Sequence, residues 1–339
     1  MTGAPPSPWS GIIRRSMRLR RRISPESYAR VATIALFALA LIVLTGAAVR
    51  LTGSGLGCPD WPKCYGKEIA PLEAHAVIEY GNRLLSGLVG VAAFAAFGLA
   101  LRRRPFRRDL ALLSALLPLG VVAQAVLGGF TVREHLAPGF VMAHFCLSML
   151  ILVAAVALAW RARHPRGHRA PSADRRSVWA VRGLLPLGAI TIFAGTAATA
   201  AGPHAGGMSG QHINRLTIHG VRTLDWAIHQ HARIALVFGL ATLGVWWLLG
   251  RRGAEAGTRR SLAVVLGLLA AQGAIGGAQY LLHLPGELVW VHVGVASFAW
   301  LALLWAVAQA GRLAPAPQAA PAPAPVPLSS APGRSRTAA

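Results

Sequence analysis

Hydrophobic positions along this chain gather into eight runs of about 20 residues, near 31–52, 79–101, 109–131, 140–160, 179–201, 227–249, 261–282 and 288–310. A run of about 20 apolar residues lets a helix cross a ~30 Å hydrocarbon core. The gaps between runs alternate in charge. Arg14, Arg15, Arg18, Arg20, Arg21 and Arg22 precede the first run, and Arg102, Arg103, Arg104, Arg107 and Arg108 follow the second. Arg161, Arg163, Arg166, Arg169, Arg175 and Arg176 follow the fourth, and Arg251, Arg252, Arg259 and Arg260 follow the sixth. Arginine clusters in alternate loops mark the cytoplasmic side of a multi-span protein. The pattern predicts an all-α integral membrane protein of the cell membrane, with eight transmembrane helices and both termini cytoplasmic. The first run lacks a small-residue cleavage site and reads as a span rather than a leader.

Composition narrows the class further. Hydrophobic residues make up 54% of the 339, and charged residues only 13%, which leaves little for a large soluble domain. A formal net charge of +23 raises the question of nucleic acid. The charge sits in short gaps between spans, so nucleic acid is excluded and the partner of those arginines is membrane lipid.

A repeat organises the chain. Ala123 to His144 matches Ala271 to His292 without a gap, and the shared residues include Ala123-Gln124 with Ala271-Gln272 and Gly128-Gly129 with Gly276-Gly277. His135 meets His283, and His144 meets His292. Four helices per half start both halves on the same side, which makes this a parallel repeat. The expected organisation is a basic segment (1–29), a first four-helix bundle (30–163), a basic linker (164–177), a second bundle (178–311) and a Pro/Ala-rich low-complexity tail (312–339). The even helices then run from outside to inside, and Asn82, His144, His231 and His292 all fall near the outer leaflet.

Polar, metal-competent side chains within spans are costly and mark function. A lone buried histidine is usually a hydrogen-bonded core residue, but equivalent ones in a repeat point to ligands. His144 and His292 are such a pair. The sixth span offers His229 and His231, two apart and so on different faces; the alignment with Asn82 favours His231. Glu79 and Asn82, three apart, share a face of the second span. Paired imidazoles with no third donor suit haem rather than zinc. Arg83 and Arg233 either meet haem propionates or reach the outer headgroups. His164 and His168 read as solvated surface, and His204, His212 and His219 as outer-loop residues. His135 and His283 either position helix ends or meet the polar edge of a cofactor. Cys58 and Cys64, in the outer loop GLGCPDWPKCYG, form a disulfide or remain two thiols; the oxidising compartment favours the disulfide. Cys146 reads as packing.

The segments VRLTGSGLGCPDWPKCYG and IEYGNRLLSGLVG, the transmembrane histidines and the GPHAG loop resemble the haem A synthases, most closely those of high-GC Gram-positive bacteria. The resemblance covers about residues 30 to 310. It implies two four-helix bundles related by a pseudo-twofold axis, and conversion of haem O to haem A by oxidation of the C8 methyl to a formyl group. It implies a haem b held by His231 and His292, a substrate haem on His144, and Glu79 as the essential acid. Many members carry a second histidine where Asn82 stands, and some carry a second outer cysteine pair; this chain has neither. Asn82 is a poor iron ligand. The first haem would then be five-coordinate through His144, with Asn82 hydrogen-bonding a water or oxygen species opposite, or with His75 as replacement ligand. Glu79 would handle protons or charge beside the reacting methyl, its alternative being a charge that favours the helix dipole. Haem O would arrive from a haem O synthase. The electron donor and any homo-oligomer are left open. Two rivals share much of this pattern: a di-haem b electron-transfer protein linked to quinone, and a solute transporter built from a parallel repeat.

Overall fold

The computed structural model describes residues 22–164, 174–254 and 256–310. The basic segment before residue 22, most of the linker with His168, and the Pro/Ala-rich tail lie outside the described residues. Eight long apolar helices form: α1 (Pro25–Leu51), α2 (Ala74–Arg102), α3 (Arg108–Arg133), α4 (Pro138–Arg163), α5 (Arg175–Ala201), α6 (Thr223–Arg251), α7 (Ala256–Leu281) and α8 (Gly286–Ala310). Each apolar run of the sequence maps to one of them. Among the described residues there is no strand, only two isolated bridges.

Helix ends differ from the hydropathy limits by up to six residues, because capping and arginine tolerance extend a helix beyond its apolar centre. Ser24 caps α1 through its side chain, which accepts from the Ser27 amide, and Pro25 opens the first turn. The α2 helix begins at Ala74, so Glu79 is inside the second turn rather than at the helix start. That removes the reading of Glu79 as a terminal dipole charge.

Helices α1 to α4 close a ring of contacts in which α1 touches α2 and α4, and α3 touches α2 and α4. Helices α5 to α8 close a second ring in the same order. Among the described residues the backbones of the diagonal helices stay apart, α2 from α4 and α6 from α8. The rings join where α8 packs on α1 and α4, and α4 on α5. Packing runs through small residues: Ala32, Ala35, Ala93, Ala96, Ala155, Ala159 and Ala306 are all buried. With lipid outside there is no hydrophobic gain from association, so close backbone approach supplies the contact energy. Ile34, Phe37, Leu41, Leu88, Val91 and Phe94 face outward, as lipid-contacting residues do. Trp300 Nε1 donates to the Met149 carbonyl at 3.1 Å and Trp290 Nε1 to the Leu44 carbonyl at 3.0 Å, tying α8 to the first ring.

The two ends of the array are built differently. At the arginine-rich end, Arg107 pairs with Asp109 and donates to the carbonyls of Arg161 and His164, closing α3 onto α4. Asp174 caps α5 and takes two hydrogen bonds of 2.9 Å from Arg252, which hold its carboxyl well below the usual range; Arg252 is raised in turn. At the opposite end the loop after α1 meets the loop after α5. The Gly55 amide donates to the Gly206 carbonyl at 2.8 Å, and a Cβ on Gly55 would lie 2.9 Å from that same oxygen. Arg50 reaches across to the carbonyls of His204 and Thr199, at 2.9 and 3.1 Å. Only glycine permits this approach.

Candidate functional site: histidines across two helical rings

In the second ring, His231 projects from α6 and His292 from α8, the diagonal pair. Their ring centroids lie 6.2 Å apart with planes inclined at 70°. Two imidazoles bound on opposite sides of one iron, at about 2.0 Å each, place their centroids about 6.3 Å apart. The spacing fits haem ligation. The His231 Nδ1 donates to the Thr191 carbonyl of α5 at 3.1 Å, since a carbonyl can only accept. That fixes the tautomer and leaves the Nε2 lone pair for a metal. Gly195, one turn further along α5, admits the ring: a Cβ there would stand 3.0 Å from His231 Cε1. His292 rests on Gly276 of α7 in the same manner, with a distance of 3.4 Å to Cε1.

The first ring repeats half of this arrangement. His144 on α4 rests on Gly128 of α3, again with 3.4 Å between a Cβ and Cε1. On the diagonal helix α2 stands Asn82, whose Oδ1 accepts from Thr45 Oγ1 at 2.8 Å. One lone pair of the carboxamide oxygen is thereby taken, and this bond turns the NH2 end toward other acceptors.

Glu79 and Arg83 sit one turn apart on α2 beneath the disulfide loop. Cys58 and Cys64 are bonded, as expected. The buried Glu79 carboxylate accepts from the Cys58 amide at 2.7 Å and pairs with Arg83. Arg83 also donates to the carbonyls of Asp60, Lys63 and Cys58, at 3.0, 2.9 and 3.4 Å. The pair therefore clamps the cysteine loop onto α2, and the Arg83 guanidinium is taken up by protein acceptors. Arg233 is exposed on α6.

The remaining histidines separate by partner. His229 lies on the outer face of α6 beside Asp225 and Tyr280, away from His292, so the structure brings His231 rather than His229 into the pair. His75 engages Ser54 through Nδ1 at 2.9 Å. His204 reaches the Leu284 carbonyl at 2.8 Å and joins the α5–α6 loop to the α7–α8 turn. His135 and His283 occupy positive-φ positions where α3 turns into α4 and α7 into α8. His164 stacks on Trp160, His219 packs on Trp226, and His212 is exposed. Cys146 is free and half-buried.

Among the described residues no group of three or more histidine, cysteine or acidic side chains converges. The donor set among the described residues thus offers paired or single imidazoles packed on glycines, which suits haem ligation better than a zinc centre. Sequence reasoning missed Thr191, Gly195 and Thr45. Gly128 and Gly276 were visible as repeat positions, but their contact with a ring was not.

The chain matches the cytochrome oxidase assembly protein family (COX15-CtaA) over residues 29–304. A protein of Shewanella oneidensis named heme A synthase is 30% identical over 171 residues, covering 45% of this chain and 49% of that protein. A heme A synthase of Alkalihalophilus pseudofirmus is 33% identical over 120 residues, 35% of this chain and 40% of its own length. One of Lysinibacillus sphaericus is 32% identical over 133 residues, 38% of this chain and 42% of its own. The chain thus spans half or less of the length of these relatives. The family match covers the great majority of the chain and all eight helices, so this protein belongs to the cytochrome oxidase assembly protein family.

Proposed function

We propose that the protein is a haem A synthase, oxidising the C8 methyl of haem O to a formyl group and so supplying haem A for terminal oxidase assembly. The observation that carries this reading is the His231–His292 pair, spaced for one iron in a chain whose family match spans 29–304. His231 and His292 would hold a haem b that relays electrons, and His144 would hold the substrate haem.

A bound haem supplies the oxidising chemistry; the chain supplies position and protons. His144 rests against Gly128 on one side of the first ring, and Asn82 stands on the diagonal helix α2. Asn82, held by Thr45, presents N–H donors there and no strong metal ligand. His144 alone would hold a haem there, leaving room for oxygen chemistry, while the two imidazoles of His231 and His292 would suit a haem used for electron transfer. Glu79 is the one buried carboxylate at this end of α2, and its proton-accepting capacity is our assignment for the methyl oxidation. Arg83 holds that carboxylate in place. The protein lies in the cell membrane with both termini cytoplasmic, takes haem O from a haem O synthase, and consumes dioxygen as the oxidant and oxygen source together with electrons from a donor in or at the membrane. The two rings are related by a pseudo-twofold axis.

Expression with a haem O supplier, followed by extraction and chromatography of the purified pigment, tests the reading. Haem A or a hydroxylated precursor is expected. Haem b and unmodified haem O alone would make the protein a di-haem electron carrier instead.

A further inference from the structure

The repeat keeps a glutamine 20 residues before each transmembrane histidine, Gln124 before His144 and Gln272 before His292. Five buried side-chain nitrogen or oxygen atoms among the described residues have no hydrogen-bond partner. Four of them are Gln124 Oε1, His144 Nδ1, Gln272 Oε1 and His292 Nδ1. One acceptor and one ring nitrogen are thus left over in each half, on the same two helices. Buried polar groups rarely stay unpaired, and an orphan that recurs at repeat-equivalent positions is not an accident of packing.

Local geometry puts both orphans at the same helix contact, α3 on α4 in one ring and α7 on α8 in the other. Each ring turns its Cε1–Nδ1 edge to a glycine, with Nδ1 lying 3.9 Å from a Cβ on Gly128 or on Gly276. Gln124 and Gln272 are four residues before those glycines, one turn away on the same helix face. Gln124 is already committed at its nitrogen, donating to the His144 carbonyl at 3.0 Å and to Ser148 Oγ at 2.6 Å. Its oxygen is the free end. His231 shows the completed version, with Nδ1 bonded to the Thr191 carbonyl.

Resting on the haem reading above, we propose that Gln124 and Gln272 are positioning residues whose carboxamide oxygens accept the Nδ1–H of His144 and His292, directly or across one water. The bond holds each imidazole in the tautomer with Nε2 free for iron, and it sets how strongly the ring donates to the metal. A stronger acceptor on Nδ1–H gives the ring more imidazolate character and favours ferric iron; loss of the acceptor does the reverse.

The test is the midpoint potential and low-spin electron paramagnetic resonance spectrum of the purified, haem-loaded full chain. Gln272→Leu should raise the potential of the bis-imidazole haem, and Gln272→Glu should lower it. Gln272→Met, which keeps volume without an acceptor, should follow Leu and decides the case if Leu does not fold. A merely structural glutamine would move both substitutions in one direction, or leave the potential unchanged while haem content falls. Either result overturns the proposal. A coloured wild type with unshifted variants removes only this inference, whereas a colourless wild type removes the haem reading with it.

Discussion

Gly195→Ala separates haem binding from folding. A methyl at this position would stand 3.0, 3.4 and 3.6 Å from Cε1, Nδ1 and Nε2 of His231. Carbon atoms rest at about 3.5–4.0 Å, so the ring has to retreat by roughly 0.5 Å. Its bond to the Thr191 carbonyl, already 3.1 Å, does not survive that shift. Losing such a support lowers metal affinity by about 10- to 100-fold. Crowding costs about 1–3 kcal/mol, but alanine in a helix interior returns about 1 kcal/mol relative to glycine. The polypeptide should therefore lose at most about 2 kcal/mol of stability, the difference of those two terms. Gly183→Ala in the same helix is the control, since a Cβ there meets nothing within 4 Å. Soret absorbance per protein, pyridine haemochrome content and a thermal melt read the outcome. Gly195→Ala should lose most of the low-spin haem and stay folded, while Gly183→Ala keeps its haem. A Gly195→Ala protein with full haem content and an unchanged low-spin spectrum would refute the placement of His231.

Three further expectations follow from named contacts. Glu79→Gln should abolish haem A formation, keep the bis-imidazole haem, and lower stability by about 2 kcal/mol through the weakened loop clamp; wild-type haem A on pigment analysis would remove the catalytic assignment. Arg50→Met removes two charge-assisted bonds between the rings and should cost about 3 kcal/mol, read as a lower Tm and faster proteolysis of the loop after α5. The depressed Asp174 carboxyl contributes stability that is complete above the ordinary carboxylate pKa and fades as pH falls through the folded value. Wild-type Tm should thus drop more steeply below about pH 4 than that of Asp174→Asn, and equal slopes would contradict it.

Hydropathy and arginine placement made the eight helices legible, because spanning a bilayer imposes a length and a charge rule that no tertiary context overrides. The equivalent placement of His144 and His292, each against a repeat glycine, was legible because a repeat doubles a single improbable residue. The choice of His231 over His229 rested on alignment and needed the helix rotation, which puts His229 beside Asp225 and turns His231 to His292. Helix α2 starts before the apolar centre, so the sequence alone misjudged the depth of Glu79 in its helix. The clamp it forms with Arg83 depends on how the cysteine loop folds back, a long-range contact without a local signature. The glycine seats at 128, 195 and 276 likewise depend on which helix stands opposite.

The main-chain clasp between Gly55 and Gly206, reinforced by Arg50, joins the two rings at the end opposite the connection between α4 and α5. Severing that connection would leave two fragments still held by this one backbone amide, by Arg50 and by the packing of α8 on α1 and α4. Co-expressed as separate chains, they should assemble and purify together. Exchange of the Arg50 side chain weakens the bridge but leaves its main-chain bond in place, whereas the gain of a side chain at Gly55 would pry that bond apart.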